Sequence, residues 1–181
     1  MSVFAAEIIS AVSEAECRRL AELATGNRVL EVGSEYGRST IALASTATIV
    51  HAVDWHRGDP QSGFKDSLPA FLANLGAHGV RDRVIVHLGR FEDVAPVLRP
   101  QAFDLVFIDG DHSAEAIRRD LGLAIPLLRW RGVAVLHDAD QVQVEAAGLA
   151  HAQQSNADVR RGHGTLLEIH LPSLAWNEEE S

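Results

Sequence analysis

Short apolar runs alternate with longer amphipathic stretches along this chain. RVLEVG (28–33), TIVHAVD (48–54), RVIVHL (83–88), FDLVFID (103–109) and GVAVLHD (132–138) are rich in Val, Ile and Leu. Apolar residues at successive positions suit a strand covered on both faces rather than one facing water. The segments between them read as helices: 3–25, 37–46, 64–77, a short one near 91–98, one from Ser113 to about Leu128, and 141–154. In the first, Ser13 and Glu16 form an S-x-x-E capping box, Leu20, Leu23 and Ala24 share a face, and Gly26-Asn27 closes the element. Residues 56–63, HRGDPQSG, are a polar loop. Two further strand candidates, 157–160 and 164–171, have only Arg161, Gly162 and His163 between them. That is too short for a parallel crossover, so they should pair as a hairpin and one should run against the rest. The pattern predicts an α/β, doubly wound, mainly parallel seven-stranded sheet.

Composition narrows the setting. A chain of 181 residues is enough for one domain, divided here into an N-terminal helical segment (1–25), a ligand-binding domain (26–176) and an acidic tail (177–181). The balance of 16 Lys+Arg against 25 Asp+Glu gives a net charge of −9. That opposes a general nucleic-acid partner, which needs a basic face. Cys17 is the only cysteine, so no intrachain disulfide can form, which fits a reducing, cytoplasmic setting. The N-terminus lacks a basic stretch, Glu7 interrupts its apolar residues, and no run is long enough to span a membrane. The apolar faces of the N-terminal helix suggest a homodimer.

In an open α/β sheet, ligands bind beyond the carboxyl ends of the strands. Here the first strand runs into Glu31-Val32-Gly33-Ser34-Glu35-Tyr36-Gly37-Arg38-Ser39-Thr40, and the second ends at Asp54. The third runs into Gly89-Arg90-Phe91, the fourth into Asp109-Gly110-Asp111-His112, and the fifth into His137-Asp138-Ala139-Asp140. A dinucleotide turn needs G-x-G-x-x-G, whose middle glycine lets a pyrophosphate approach the backbone. This chain has E-x-G-x-x-x-G, with Glu35 in the turn. A carboxylate there repels a diphosphate and suits a ligand carrying ammonium and sulfonium groups. Asp54 is placed to accept both hydroxyls of a ribose. Together these point to S-adenosylmethionine (SAM); the plainer reading is that Gly33 and Gly37 only permit a tight strand-to-helix turn.

At these residues the chain resembles the class I SAM-dependent methyltransferases. VLEVGSEYGRST is similar to the first motif of the branch related to catechol O-methyltransferase, GVRDRVIVHLGRFEDVAPVL to its third-strand region, and FDLVFIDGDH with GVAVLHD to its fourth and fifth strand ends. DWHRGDP, IDGDHS and HD resemble a bacterial small-molecule group of the same superfamily. The resemblance implies strand order 3-2-1-4-5-7-6 with the last strand antiparallel. It implies that Glu31, Gly33, Ser34, Glu35, Gly37 and Ser39 surround the methionine end of SAM and that Asp54 holds the ribose. Trp55 would pack on the adenosine, with Phe91 and Glu92 flanking the adenine and Asp109 and Gly110 nearby. Asp109 and Asp138 match two carboxylate ligands of a Mg²⁺ (or Mn²⁺) ion, and His112 falls where that branch has its catalytic lysine. The chain departs at Ala139, where the branch carries a third ligand, an asparagine, and at Trp130-Arg131 in place of a Pro-Gly turn. His137 or Asp140 are the nearby substitutes for that ligand.

Methyl transfer from SAM is an in-line displacement that needs a nucleophile freed of its proton. A phenol with pKa near ~10 needs a cation or base to ionise at neutral pH. Asp109, Asp111 and Asp138 form an oxygen-rich set suited to a divalent cation, and His112, with Asp109, is the candidate base. His56 and Asp59 are candidates for substrate contact in a solvated loop. His163 reads as a hairpin residue, and His87, His151 and His170 show no convergent partners. The expected function is SAM-dependent O-methylation of a small hydroxylated molecule, metal-assisted. The alternatives are a SAM-binding module that is inactive or needs a partner subunit, and a nucleotide-dependent oxidoreductase.

Overall fold

The computed structural model describes residues 4–59 and 63–173. Seven strands, β1 (Arg28–Val32), β2 (Ile49–Asp54), β3 (Val84–Leu88), β4 (Phe103–Ile108), β5 (Leu128–Leu136), β6 (Asp158–Arg161) and β7 (Leu167–His170), form one sheet in the order β3-β2-β1-β4-β5-β7-β6. The first five are mutually parallel. β7 is antiparallel to both neighbours, β5 and β6. Order and directions are those implied by the resemblance, and the 158–170 hairpin is the one its short connection requires.

Alternate residues of each strand face opposite layers, as the period of two dictates. Val50, Ala52, Val84, Leu105 and Phe107 pack with Leu20, Ile41, Leu43, Phe71 and Leu75 from α1 (Glu14–Ala24), α2 (Arg38–Thr46) and α3 (Leu68–Ala77). Leu30, Val53, Val106, Ala134 and Leu136 pack with Phe91, Ile117, Leu121, Val144 and Ala147 from α4 (Phe91–Val94), α5 (Ala114–Ala124) and α6 (Val142–Gln154). The sheet is therefore wound on both faces, and every central strand is buried on both sides.

Several boundaries differ from the sequence reading. Helix α1 begins at Glu14, not at residue 3, because Ser13 is extended (φ −72, ψ 166) and its hydroxyl accepts from the Glu16 N–H. The capping box that was legible in the sequence is itself the start signal. Helix α3 begins at Leu68 rather than 64, since Gly63–Phe64 pairs with Gly58–Asp59 in a two-residue ladder. Strand β5 starts four residues early. Its register with β4 jumps from Phe103↔Leu128 to Leu105↔Val133, so residues 129–132 bulge out. Arg131 makes that bend at φ 65, in place of a Pro-Gly turn. Pro96 ends α4 early in a 3₁₀ turn, Ala95–Val97. Among the described residues no helix is long and apolar enough to cross a membrane. The acidic tail 177–181 lies outside the described residues.

Candidate active site

The ladder carries the strand ends into one place. The Gly33 N–H donates to the Val53 carbonyl, the Asp109 N–H to that of Val32 and the His137 N–H to that of Ile108. Beyond these ends lies a cleft of about 470 Å³. Gly33, Ser34, Glu35, Gly37, Ser39, Asp54, Trp55, Phe91, Asp109, Gly110, His112 and Asp138 all line it. Of the residues singled out in the sequence, Glu31 lies beneath the first turn, and neither Glu92 nor His137 is on the wall.

The first turn is built by sterics. Gly33 has φ +87, and a Cβ there would stand 2.1 Å from the Asp109 carbonyl oxygen, so only glycine lets β1 and β4 close up. Gly37, at φ +91, is the left-handed residue that starts α2. Between them Glu35 has φ 44. The Asp54 carboxylate holds this turn in shape: Oδ2 accepts from the N–H groups of Ser34 (2.9 Å) and Glu35 (2.8 Å), and Oδ1 from that of His56 (2.7 Å). Three of its roughly four acceptor sites are thus committed to backbone. The Glu35 carboxylate pairs with Lys65, whose ammonium lies 5.5 Å from the Tyr36 ring centroid. The Arg90 guanidinium stacks on Trp55 at 4.1 Å. Glu92 pairs with Arg119 at 2.8 Å.

Glu31 is fully buried and accepts a hydrogen bond from the Thr40 hydroxyl at 2.5 Å. Its other oxygen has no hydrogen-bond partner among the described residues. Burial raises its carboxyl to about 8 against the stabilising hydroxyls of Ser39 and Thr40, and the charges of Asp109 and Asp54 add to the rise. Asp120, on the cleft wall, is likewise raised by burial, to about 6, despite the adjacent Arg119.

The opposite end of the cleft is a cluster of two carboxylates and two imidazoles. Asp109 Oδ1 lies 3.1 Å from His137 Nδ1 and 3.5 Å from His112 Nε2. Asp138 reaches His112 Nε2 at 3.4 Å and His137 Nδ1 at 3.3 Å. Asp138 can do this because it adopts φ 54, held by an N–H bond to the Thr165 hydroxyl (3.1 Å). His112 is part-exposed to the cleft, whereas His137 is buried behind the carboxylates with 2% side-chain exposure. Burial would raise the Asp109 carboxyl, but hydrogen bonds from His112 and His137 bring it down to about 2. The Asp109 hydrogen bond raises His112 above its ordinary value. For His137, burial is outweighed by Asp109, Asp138 and Glu16, and its value rises to about 9.

The donor set fits a divalent cation. One ligand atom each from Asp109, His137 and Asp138 lie within 4.8 Å of one another. The His137 spacings to the two carboxylates are close to the ~3 Å between neighbouring ligands of a six-coordinate ion with bonds near 2.1 Å. Ala139 offers nothing: it is buried, and its N–H is spent on the Thr165 carbonyl. Of the substitutes weighed from the sequence, His137 is in position and Asp140 is exposed elsewhere. Asp111 is not in the cluster, because its carboxylate accepts from the Ser113 N–H at 2.8 Å, ahead of the α5 cap.

Other histidines behave differently from expectation. His56 is not solvated: it is 1% exposed, its Nδ1 is 2.8 Å from the Ser67 hydroxyl, and its ring packs on Phe71. His87 does have a partner, His51, at 3.0 Å on the neighbouring strand, and His170 lies 3.0 Å from Glu168. Residues that sequence reasoning did not bring to the site include Lys65, Arg119 and Asp120 on the cleft wall, and Glu16 and Thr165 behind the cluster. The capping box marked Glu16, but only as a helix start.

Residues 30–139 match a family described as a methyltransferase domain. Among solved structures, the chain is similar to cofactor-bound Rv0187 from MTB (27% identity, TM-score 0.69, covering 93% of this chain and 83% of that one). It shares its fold with the O-methyltransferase TomG of Streptomyces achromogenes, involved in tomaymycin synthesis and solved with SAM (23%, TM-score 0.72, 90% and 82%). The O-methyltransferase of Bacillus cereus, solved with S-adenosylhomocysteine (SAH), has the same fold (17%, TM-score 0.68, 93% and 84%). The uncharacterized protein y4gI of Sinorhizobium fredii is 26% identical over an alignment of 160 residues that covers 84% of this chain; the chain spans 17% of that relative's length.

Proposed function

The chain belongs to the family of methyltransferase domains, the class I SAM-dependent enzymes, and we propose that its reaction is O-methylation of a small hydroxylated molecule. The observation that carries this reading is the Asp109–His112–Asp138 cluster opening on the same cleft as the glycine turn. In this reading SAM lies across the strand ends. Its methionine end rests on Gly33, Ser34, Glu35, Gly37 and Ser39 over the buried Glu31, its ribose near Asp54, and its adenine beside Trp55 and Phe91 with Glu92 and Gly110 close by. The sulfonium then faces the cluster.

The acceptor hydroxyl gives its proton to His112 Nδ1, the ring nitrogen not turned to Asp109 and Asp138, and its oxygen attacks the SAM methyl carbon. The C–S bond breaks as the O–C bond forms, leaving SAH and a methyl ether. Asp109 and Asp138 orient the His112 ring and stabilise the imidazolium that results. The same carboxylates with His137 would hold Mg²⁺ or Mn²⁺, whose chemistry is to lower the pKa of a bound hydroxyl. His112 serves as base only when neutral, so the Asp109-driven rise in its pKa predicts activity that increases with pH through that raised value.

The test is turnover of a panel of catechols and phenols with SAM, beside calorimetric SAH titration of the EDTA-treated chain with and without Mg²⁺ or Mn²⁺. We expect Asp109→Asn and His112→Gln each to lower kcat by about 10²-fold or more while SAH binding persists. An added heat with the metal, lost in Asp109→Asn, supports the cation. SAH binding without turnover of any acceptor would instead identify a SAM-binding module, and turnover indifferent to both substitutions would move the chemistry elsewhere in the cleft.

A further inference from the structure

Behind the reacting cluster, on the side away from the cleft, stands a carboxylate from the first helix. Glu16 is 97% buried in side-chain terms, with 3% exposure. Its Oε2 accepts from the Ser13 N–H and hydroxyl, both at 2.7 Å, which is the capping box of α1. A cap needs no more than this, and most caps are solvent-exposed. Here the other oxygen, Oε1, accepts from the Thr165 N–H (2.8 Å) and hydroxyl (3.0 Å) and lies 3.6 Å from His137 Nε2. That imidazole nitrogen is buried and has no hydrogen bond among the described residues. The opposite nitrogen, Nδ1, faces Asp109 and Asp138.

Thr165 ties the same carboxylate to the second reacting acid. Its hydroxyl accepts from the Asp138 N–H and its carbonyl from the Ala139 N–H. Gly164 makes room: a Cβ there would sit 2.4 Å from Glu16 Oε1. One carboxylate 93 residues before Asp109 thus stands 3.6 Å from the His137 ring and reaches Asp138 through one threonine, without reaching the cleft.

We propose that Glu16 is a positioning residue for the reaction, fixing the His137 ring so that Nδ1 bears on Asp109 and Asp138. The proposal rests on the reading that these two acids form the reacting end of the cleft. Ring flips and tautomer changes at His137 would otherwise turn a different nitrogen toward the acids, and a buried carboxylate beside Nε2 gives the ring one favoured orientation. The first helix is then part of the catalytic support as well as of the core.

Long-range ¹H–¹⁵N spectra of the histidine rings test this in the full chain, with His137 assigned from its loss in His137→Asn. Glu16→Gln keeps one oxygen, for the Ser13 cap or for the Thr165 N–H but not for both, and removes the charge beside Nε2. Its His137 ring signals are expected to move, whereas Leu20→Ala, a core truncation in the same helix, lowers the melting temperature and leaves them in place. Gly164→Ala, which pushes the carboxylate away without deleting it, is expected to move the same signals and serves where Glu16→Gln does not fold. In turnover, Glu16→Gln should lower kcat about tenfold with SAH affinity unchanged. His137 signals in Glu16→Gln at their wild-type positions, or displaced equally in Leu20→Ala, would overturn the proposal. A wild-type chain that turns over no hydroxylated acceptor would remove the O-methylation reading, while the spectra would still decide what Glu16 holds.

Discussion

The two ends of the cleft are acidic for different reasons. At the cofactor end, Asp54 is saturated by backbone N–H groups from the turn it supports, and Glu31 is buried beneath that turn with its charge suppressed. At the reacting end, Asp109 keeps its charge through hydrogen bonds from His112 and His137, Asp138 lies beside the same two rings, and the side chains hold one another. The first is a scaffold of main chain and glycine. The second is a cluster of titratable groups assembled from the ends of β4 and β5. A turn built from backbone bonds is fixed in shape before any ligand arrives; a cluster of side chains can exchange partners and protons during a reaction. Each end should therefore respond to substitution in its own way.

The largest effect is expected where the two ends touch. At Gly33 the left-handed φ and the 2.1 Å approach to the Asp109 carbonyl act together. Gly33→Ala should destabilise the fold by more than about 3 kcal/mol and abolish SAH binding. Gly79 supplies the contrast: it also has a positive φ, +67, but a Cβ there meets nothing within 4 Å. Gly79→Ala should lose only about 1 kcal/mol, the conformational share. Urea midpoints of the two variants separate strain from collision. Similar midpoints would mean that the Gly33 loop shifts to accept a methyl group, and that the two ends of the cleft are less rigidly joined than the geometry indicates.

The same division explains what could be read from the sequence. The sheet order, the hairpin at 158–170 and the cofactor turn follow from local signals: apolar runs, spaced glycines, an acid at a strand end. The capping box was legible too, yet its meaning was split. Ser13-x-x-Glu16 announced a helix start, and nothing near it announced that Glu16 reaches Thr165 and His137, more than 100 positions away. His137 was one of two substitutes for the ligand absent at Ala139; a ring buried behind the strand end and an acid exposed outside it are told apart only by the sheet register. His56 looked solvated because its neighbours are polar, but the bond from its own N–H to Asp54 turns it into the core. Long-range convergence of side chains, unlike turns and caps, leaves no short pattern.

A cofactor-end substitution should spare the chemistry. Asp54→Asn leaves one carbonyl oxygen where three N–H donors converge, and its amide group faces donors with another donor. Losing charge-assisted bonds of this kind costs about 1.5–3 kcal/mol. SAH affinity should fall about 10- to 100-fold, read by calorimetry, while kcat at saturating SAM is retained. Asp109→Asn should show the reverse. If Asp54→Asn instead lowered kcat with SAH affinity intact, Asp54 would belong to the reacting machinery and the contrast between the two ends would fail.

The smallest effect, and the one most particular to the cofactor end, is a pH dependence at Glu31. The folded protein raises this carboxyl from 4.5 to about 8, so between those values the folded state holds a proton that the unfolded chain has released. By linkage, its contribution to stability is full below about pH 4.5 and declines as pH rises, until it is gone above about pH 8. Glu31→Gln keeps an oxygen to accept the Thr40 hydroxyl and cannot ionise. Its thermal stability should match wild type at pH 5 and exceed it at pH 8.5, with the difference opening across the interval. SAH should reduce that difference in favour of wild type, since its ammonium group above the turn favours the ionised carboxylate that burial alone disfavours. Melting curves at the two pH values, with and without SAH, measure both shifts. Parallel curves for the two proteins would show that Glu31 is already ionised at neutral pH. The orphaned oxygen beneath the turn would then have a partner such as an ordered water, and the cofactor end would carry charge in the same manner as the reacting end.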